Sequence, residues 1–372
     1  MESTFAEYIK KYLDSKYGKD AEQLFSQSLI LQYLQHKTKS ANKGAKARGS
    51  FANLYAIYVI IEDYLNKGFD KMGNYSNYEG AQFSILFKRQ RELPFGAKLQ
   101  NHALNSRMNE EFFKFFPTQK GVPPIMRNLE TQRYWFNENY LKIQVGRKAY
   151  NIAQNILDII DHYVEVKQDS FKQFILQCET LQNMAENNTA EVREYVLTLL
   201  APNVDARLFE IVSYSILKFY YQDIKIYWGF TPEVAKLKSD YLHLYKTGRT
   251  NANDGGIDFV MRPLGRFFQV TETLDFKKYF LDIEKIEKFP LSFVIKSTES
   301  KKELLAKLKD DAIKTYVIQK VVDDYLSCIE EIINIPQLST YLMELDKRNQ
   351  ISEVLKEIIL QSKIEFNYED ED

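Results

Sequence analysis

Apolar residues recur at intervals of three and four positions through most of the first 200 residues. This spacing puts apolar side chains on one face of a helix, so it predicts helices in FAEYIKKYLDSKY, FANLYAIYVIIEDYLNKGF and AYNIAQNILDIIDHYVEV. The stretch from Lys88 to Pro124 is rich in Gly, Pro and Asn, which is typical of turns. A proline in LLAPNVDAR ends this region, and Asp205 is placed to cap the next helix. We therefore predict a mainly helical region over residues 1–200.

The pattern changes after residue 200 from helix after helix to a mixture of elements. ARLFEIVSYSILKFYYQ predicts an amphipathic helix, and IKIYWGF predicts a short strand. IDFVM and RFFQVTE are rich in branched and aromatic residues and predict two strands joined by a hairpin turn at RPLG. A helix in LDFKKYFLDIEKIEKF, a strand in LSFVIKS and helices from KKELLAKL to CIEEIIN follow. This order predicts an α/β domain with a mixed sheet flanked by helices over 201–345, then a C-terminal helix and acidic tail over 346–372.

The composition narrows the class of protein. A chain of 372 residues with 45% hydrophobic positions is long enough to bury a substantial core. Its two cysteines, Cys178 and Cys328, have no cysteine nearby in the sequence, which argues against a disulfide framework or a cysteine-ligated zinc site. No apolar run approaches the roughly 20 residues of a membrane span, and the first residues lack the apolar stretch of a secretory signal. We therefore expect a cytoplasmic protein without membrane contact.

Candidate chemistry is concentrated in GGIDFVMRPLGRFFQVTE, where polar residues interrupt the two apolar strands. Asp258 opens the first strand, and alternation along the second puts Gln269 and Thr271 on one face and Glu272 on the other. A buried polar side chain is costly without partners, so Gln269 indicates a functional cleft. The structural alternative is that Asp258 caps a turn and Gln269 satisfies backbone groups.

The acids of this region suit a hard cation. Mg²⁺ prefers oxygen ligands and often takes only one or two protein carboxylates, with phosphate and water completing its shell. Asp258 with a second acid would meet that demand, and Glu210 is the best candidate because it interrupts the apolar run LFEIVSY. An exposed helix face is the other explanation for Glu210. Bound Mg²⁺ would orient and acidify a water for attack on a phosphodiester.

At this point the residues resemble a known family. DARLFEIVSYSILKFYY and GRTNANDGGIDFVMRPLGRFFQVTE are similar to the PD-(D/E)xK nuclease superfamily, and in particular to type II restriction endonucleases, over roughly residues 204–297. The resemblance implies a restriction-endonuclease-like sheet. It also implies that Asp258 is the metal ligand, Gln269 the acid-or-glutamine position and Glu210 the helix glutamate that assists the metal.

The chain departs from this pattern at Thr271, which stands where the family has a lysine. Three kinds of substitute are available: Glu272, if the strand contains a bulge; Lys277 or Lys278, from the following helix; and Lys296, from the neighbouring strand. We expect Thr271 and Glu272 to belong to the catalytic set with Asp258, Gln269 and Glu210. The missing lysine keeps open a DNA-binding protein on a catalytically inactive nuclease fold.

The net charge of −1 conceals a segregated distribution, with no acid between Glu22 and Glu62. Base reading uses Arg, Asn and Gln, and phosphate contacts use Lys and Arg. The predicted DNA contacts are Lys43, Lys46, Arg48, Asn101, Arg107, Arg249, Asn251 and Asn253. Solvated loops and simple turns are the alternative explanations for the segments that contain these residues.

Several function classes are unlikely on motif grounds. The chain has no GxxxxGK[ST] phosphate loop, no GxSxG motif and no HxK pair among its four histidines. The expected partner is double-stranded DNA, and a palindromic target would call for a homodimer. The resemblance also implies a DNA methyltransferase in the same system as a functional, not physical, partner. A third possibility is a helical interaction protein that does not touch nucleic acid.

Overall fold

The computed structural model describes residues 4–44, 49–72, 75–184, 188–231, 233–247, 257–316, 318–366 and 368. The chain divides into two compact units, Met1–Phe174 and Ile175–Asp372. Helix is the main secondary structure, and short strands are present in both units.

Unit 1 is mainly helical, as the apolar periodicity predicts. Its helices are α1 (Phe5–Tyr17), α2 (Ala21–Gln27), α3 (Leu29–Lys37), α4 (Phe51–Asn66), α5 (Phe69–Met72), α6 (Phe83–Glu92), α7 (Met108–Phe115) and α8 (Ala153–Met184), which ends in unit 2. Its strands are β1 (Ala81–Gln82), β2 (Ile125–Asn128), β3 (Arg133–Phe136), β4 (Lys142–Val145) and β5 (Lys148–Asn151).

The core of unit 1 is a single apolar cluster with α4 at its centre. Residues 54–61 of α4 are all buried, because this helix carries apolar side chains almost all round. Thr4 begins α1 with a capping box in which its hydroxyl accepts from the Glu7 N–H and the Glu7 carboxylate accepts from the Thr4 N–H. The helices predicted for FAEYIKKYLDSKY and FANLYAIYVIIEDYLNKGF are confirmed.

Two features of unit 1 differ from the sequence expectation. The turn-rich stretch 88–124 contains a π-helical turn, Ala103–Arg107, which runs directly into α7. Residues 125–151 form antiparallel pairs of strands rather than helix. Met108 and Phe112 of α7 are fully buried, so burial in the tertiary structure outweighs the local turn signals.

Unit 2 combines helices with a central sheet. Its helices are α9 (Thr189–Thr198), α10 (Ala206–Tyr221), α11 (Phe276–Lys285), α12 (Lys301–Thr315), α13 (Gln319–Ser327), α14 (Ile335–Lys347) and α15 (Ile351–Phe366). Its strands are β6 (Lys225–Trp228), β7 (Lys238–Tyr241), β8 (His243–Lys246), β9 (Phe259–Arg262), β10 (Arg266–Thr271), β11 (Leu291–Ile295) and β12 (Ile329–Asn334).

The central sheet is mixed, with the order β12-β11-β10-β9-β8. β8, β9 and β10 form an antiparallel meander, whereas β10, β11 and β12 are parallel. The tight turn between β9 and β10 includes Gly265 at φ 69°, a left-handed conformation that favours glycine. α11 connects β10 to β11, as a parallel pair requires. The expected α/β unit with a mixed sheet is therefore present.

The two faces of β10 pack against different helices. Phe268 contacts Tyr221 of α10 with ring centroids 6.3 Å apart, and its partner Phe259 lies 5.3 Å from Tyr214 of the same helix. Phe267, on the opposite face, packs against the apolar cluster built by α11, β11 and α12. Gln269 therefore faces the α11 side, because side chains alternate along the strand.

One prediction for unit 2 is wrong, and two further features were not foreseen. CIEEIIN was expected to be helical but forms β12, because its residues pair in parallel with β11 and Ile332 and Ile333 are buried. β7 and β8 were not predicted. The structural division falls after Phe174 instead of after residue 200, since α9 packs on α14 and α15. The functional division into a recognition region and a nuclease domain stays a prediction.

Candidate functional site

Five strand ends meet at one edge of the central sheet. β10, β11 and β12 end there in register at Thr271, Ile295 and Asn334. β8 ends and β9 begins at the same edge, where Lys246 pairs with Phe259. The carboxyl ends of parallel strands are where ligands commonly bind in open α/β sheets.

Asp258 precedes β9 and ties it to both neighbouring strands. Its N–H donates to the Phe268 carbonyl and its own carbonyl accepts from the Thr247 N–H, both at 2.9 Å. Its carboxylate oxygen Oδ2 accepts from the Val270 N–H at 2.7 Å. The carboxylate therefore lies beside the end of β10, close to the amide group of Val270.

Gln269 is buried next to this contact, with 8% of its surface exposed. Its amide Nε2 donates to the Val270 carbonyl at 3.1 Å. That bond fixes the orientation of the side-chain amide, because the opposite orientation would place two carbonyl oxygens together. Among the residues that the structure describes, none donates a hydrogen bond to the buried Oε1. An unsatisfied buried acceptor costs about 1–3 kcal/mol, so a donor or a cation at Oε1 would stabilise the site.

Thr271 stands in the lysine position of the motif and is 3% exposed. Its hydroxyl lies 3.4 Å from the ammonium Nζ of Lys278, which reaches back from α11. The neighbouring Tyr279 hydroxyl donates to the Thr273 carbonyl at 3.1 Å, and burial raises the pKa of Tyr279, so it remains protonated. The sequence offered Lys277, Lys278 and Lys296 as substitutes, and the structure brings Lys278 to Thr271.

Glu272 and Lys296 form an ion pair on the other face of β10. The ammonium of Lys296 is 2.5 Å from Glu272 Oε1 and also donates to the carbonyl of Val204, just before α10. The Lys296 side chain is 4% exposed, whereas that of Glu272 is 35% exposed. These contacts hold Lys296 between the sheet and the start of α10, which is a structural role.

Glu210 lies on α10, where its carboxylate pairs with the ammonium of Lys246 on β8 at 2.9 Å. Both side chains are about four-fifths buried, at 22% and 21% exposed. Lys246 pairs with Phe259, whose ring faces α10, so Glu210 and Lys246 share the α10 side of the sheet. Asp205 caps α10 as predicted, its carboxylate accepting from the Arg207 N–H at 2.8 Å.

The donor set decides which cation fits. No group of three or more His, Cys, Asp or Glu side chains is gathered at a metal-binding distance within the described part of the chain. A carboxylate at Asp258 and an amide oxygen at Gln269 are both hard oxygen donors, which suit Mg²⁺ with several waters or phosphate oxygens. They do not suit zinc, which prefers nitrogen and sulfur ligands.

Some of the predicted DNA contacts lie in the described part of the chain, and others do not. Lys43 and Arg107 are exposed in unit 1, and Asn101 is half-buried there. Arg107 ends the π-helical turn, an irregularity that is frequent at functional sites. The remaining predicted contacts, Lys46, Arg48, Arg249, Asn251 and Asn253, lie outside the described residues.

Sequence reasoning missed an exposed row of polar and aromatic residues on β7 and β8. Tyr241, His243 and Tyr245 are exposed, and the intervening Leu242 and Leu244 are buried. This two-residue alternation is visible in YLHLY and would have predicted a strand with one exposed face.

Comparisons with known proteins do not identify a family. No family model matches the chain, and no curated protein or solved structure matches it. Within the described residues, no helix combines the length and apolar character needed to cross a membrane. The resemblance to nucleases therefore depends on the residues of the candidate site.

The structural role of Lys296 predicts a stability effect. Lys296→Met removes the ammonium that pairs with Glu272 and donates to the Val204 carbonyl, so we expect the free energy of unfolding to fall by about 1–3 kcal/mol. Lys277→Met, at an exposed lysine, should change it by less than about 0.5 kcal/mol. Urea titration followed by circular dichroism measures both, and equal stability of the two variants would contradict the assignment.

Proposed function

We propose that this protein is a Mg²⁺-dependent, sequence-specific endonuclease that hydrolyses phosphodiester bonds of double-stranded DNA, similar to type II restriction endonucleases. The observation that carries the proposal is the buried Oε1 of Gln269, which has no partner among the described residues, on a side chain that contacts the same residue, Val270, as the carboxylate of Asp258. Both residues occupy the motif positions at which the family holds its metal.

A purely structural role explains only part of this geometry. Asp258 Oδ2 and Gln269 Nε2 do satisfy the backbone groups of Val270. That role leaves Gln269 Oε1 buried without a donor from the described residues, whereas a leucine or threonine there would avoid the cost. A cation at Oε1 accounts for the glutamine.

The architecture of unit 2 also supports the proposal. A helix, α10, precedes an antiparallel meander, and a crossover through α11 leads to a parallel strand. Such a mixed sheet flanked by helices agrees with the restriction-endonuclease-like arrangement that the resemblance implies. The candidate residues lie where the strands end, which is the edge at which ligands commonly bind in open α/β sheets.

In this proposal Asp258 and Gln269 hold the metal, and Lys278 supplies the positive charge that the motif lysine would provide. When bound, Mg²⁺ would acidify the attacking water and neutralise charge on the phosphate. The hydroxyl of Thr271 positions the Lys278 ammonium. Glu210 is paired with Lys246 on the α10 side of the sheet, and Glu272 anchors Lys296.

The partners follow from the reaction. Duplex DNA is the substrate, and two copies of the chain related by a two-fold axis would place one site on each strand of a palindromic target. Lys43, Asn101 and Arg107 remain proposed contacts to the duplex. A DNA methyltransferase with the same target would protect the cell's own DNA.

A second candidate function is DNA binding without cleavage, on an inactive nuclease fold. Thr271 in the lysine position favours it. Incubation of plasmid DNA with the pure protein, with and without Mg²⁺, separates the two functions. Discrete fragments that require Mg²⁺ indicate the nuclease, and a retarded but intact plasmid indicates the binder.

The first prediction for the site concerns Asp258. Asp258→Asn keeps the shape of the side chain but removes the charge that holds the cation, so we expect plasmid cleavage to fall by at least about a hundredfold. DNA binding without metal should remain. Asp310→Asn, at an exposed aspartate of α12, is the matched control and should cleave normally. Full cleavage by Asp258→Asn would eliminate the proposed site.

The second prediction concerns the replacement of the motif lysine. Lys278→Ala should lower the cleavage rate by about 10²-fold, because one charged group at the phosphate is lost, whereas Lys277→Ala should not. Thr271→Lys in the Lys278→Ala background should recover part of the rate, since it returns the ammonium to the motif position. The assignment fails if Lys278→Ala cleaves at the normal rate in single-turnover measurements.

A further inference from the structure

An exposed surface of unit 2 carries aromatic rings and cations in alternation. It is formed by β6, β7, β8 and the end of β9. We call it the aromatic-basic strip, and its members are Lys225, Tyr227, Tyr241, His243, Tyr245 and Arg262.

Strand geometry places these side chains on one face. Tyr241, His243 and Tyr245 occur at every second position of the chain. The N–H of Leu242, between β7 and β8, donates to the carbonyl of Ile224, just before β6, so the hydrogen bonding of β7 extends beyond its last residue. Lys225 pairs with Tyr241, and His243 pairs with Arg262. Leu242 and Leu244 point the other way and are buried.

The rings are open to solvent and already associated with cations. Tyr227, Tyr241 and Tyr245 are 64%, 47% and 48% exposed. The Lys225 ammonium lies 5.6 Å and 5.9 Å from the ring centres of Tyr227 and Tyr241, and the Arg262 guanidinium lies 5.8 Å from that of Tyr245. Single exposed rings are common on protein surfaces, whereas here three exposed rings share one surface with two cations.

The strip ends at the candidate site. Tyr245 pairs with Val260, two positions after Asp258. Two residues beyond Tyr245, about 7 Å along a strand, the Thr247 N–H donates to the Asp258 carbonyl. A polymer held along the strip would therefore run towards Asp258 and Gln269.

We infer that the strip binds an unpaired segment of DNA and leads it to the site. Ring faces stack on bases, and this needs bases whose own faces are open, as in a single strand. Lys225 and Arg262 complement the phosphates. The carboxylate of Asp240 lies beside the strip, 3.8 Å from His243 Nε2. The path to the site rests on the proposed nuclease function, but binding of the strand does not require cleavage.

The chain contains a matched control for this surface. Phe230, in the loop between β6 and β7, is 98% exposed but lies outside the strip. A second copy of the chain, or another protein, that docks on the loop between β6 and β7 would depend on Phe230. A DNA strand that stacks on the strip would not depend on it.

The test measures binding of a fluorescent oligothymidylate of about 12 nucleotides by anisotropy, in EDTA so that no cleavage occurs. A blunt duplex of equal length is the comparison. Tyr245→Leu should weaken oligothymidylate binding by about tenfold, because it removes a stacking ring but keeps an apolar side chain. Tyr245→Phe and Phe230→Leu should bind as the unchanged protein does. Arg262→Gln should reduce the slope of log affinity against log salt by about 0.7.

Other outcomes would overturn the inference. Equal binding by Tyr245→Leu and the unchanged protein excludes stacking, and Tyr227→Leu repeats the test if Tyr245→Leu does not fold. Preference for the blunt duplex shows groove contact instead, and a sedimentation coefficient that falls only in Phe230→Leu shows a dimer contact. Strand binding with these properties in a protein that never cleaves DNA would sustain this inference and reject the nuclease.

Discussion

The contact on which the site depends is the hydrogen bond from the Val270 N–H to the carboxylate of Asp258. It joins the beginning of β9 to the end of β10, at the point where their regular pairing stops. The same residue, Val270, accepts from Gln269, so one peptide segment orients both side chains. Two side chains eleven residues apart in the sequence thereby contact the same residue. The rest of unit 2 keeps these two strands in register.

Two ion pairs and the ammonium of Lys278 lie near this edge of the sheet. Glu210 with Lys246 and Glu272 with Lys296 neutralise each other on the α10 side, where burial favours paired charges. Lys278 instead contacts the neutral hydroxyl of Thr271 on the other side of β10. In the proposed site, its ammonium would meet a phosphate near Gln269. This arrangement gives a physical reason for tolerating threonine where the motif has lysine.

Much of the fold of unit 2 could be predicted from the sequence, and the predictions that failed did so for physical reasons. α10 and its Asp205 cap, and the hairpin of β9 and β10, follow from local periodicity and turn chemistry. CIEEIIN was misread because isoleucines at mixed spacing suit both a helix and a buried strand. The role of Lys278 depends on how α11 packs beside β10, which no local pattern encodes. The same holds for the amide oxygen of Gln269, which has no partner among the described residues.

The central claim is that a divalent cation binds between Asp258 and Gln269. A crystal structure of the protein soaked in Mn²⁺, with anomalous diffraction recorded at a wavelength where manganese scatters, tests it most directly. The account predicts an anomalous peak about 2.0–2.3 Å from a carboxylate oxygen of Asp258 and from Gln269 Oε1, in octahedral coordination completed by water. A protein or water donor bonded to Gln269 Oε1, with no peak near Asp258 at saturating Mn²⁺, would contradict it.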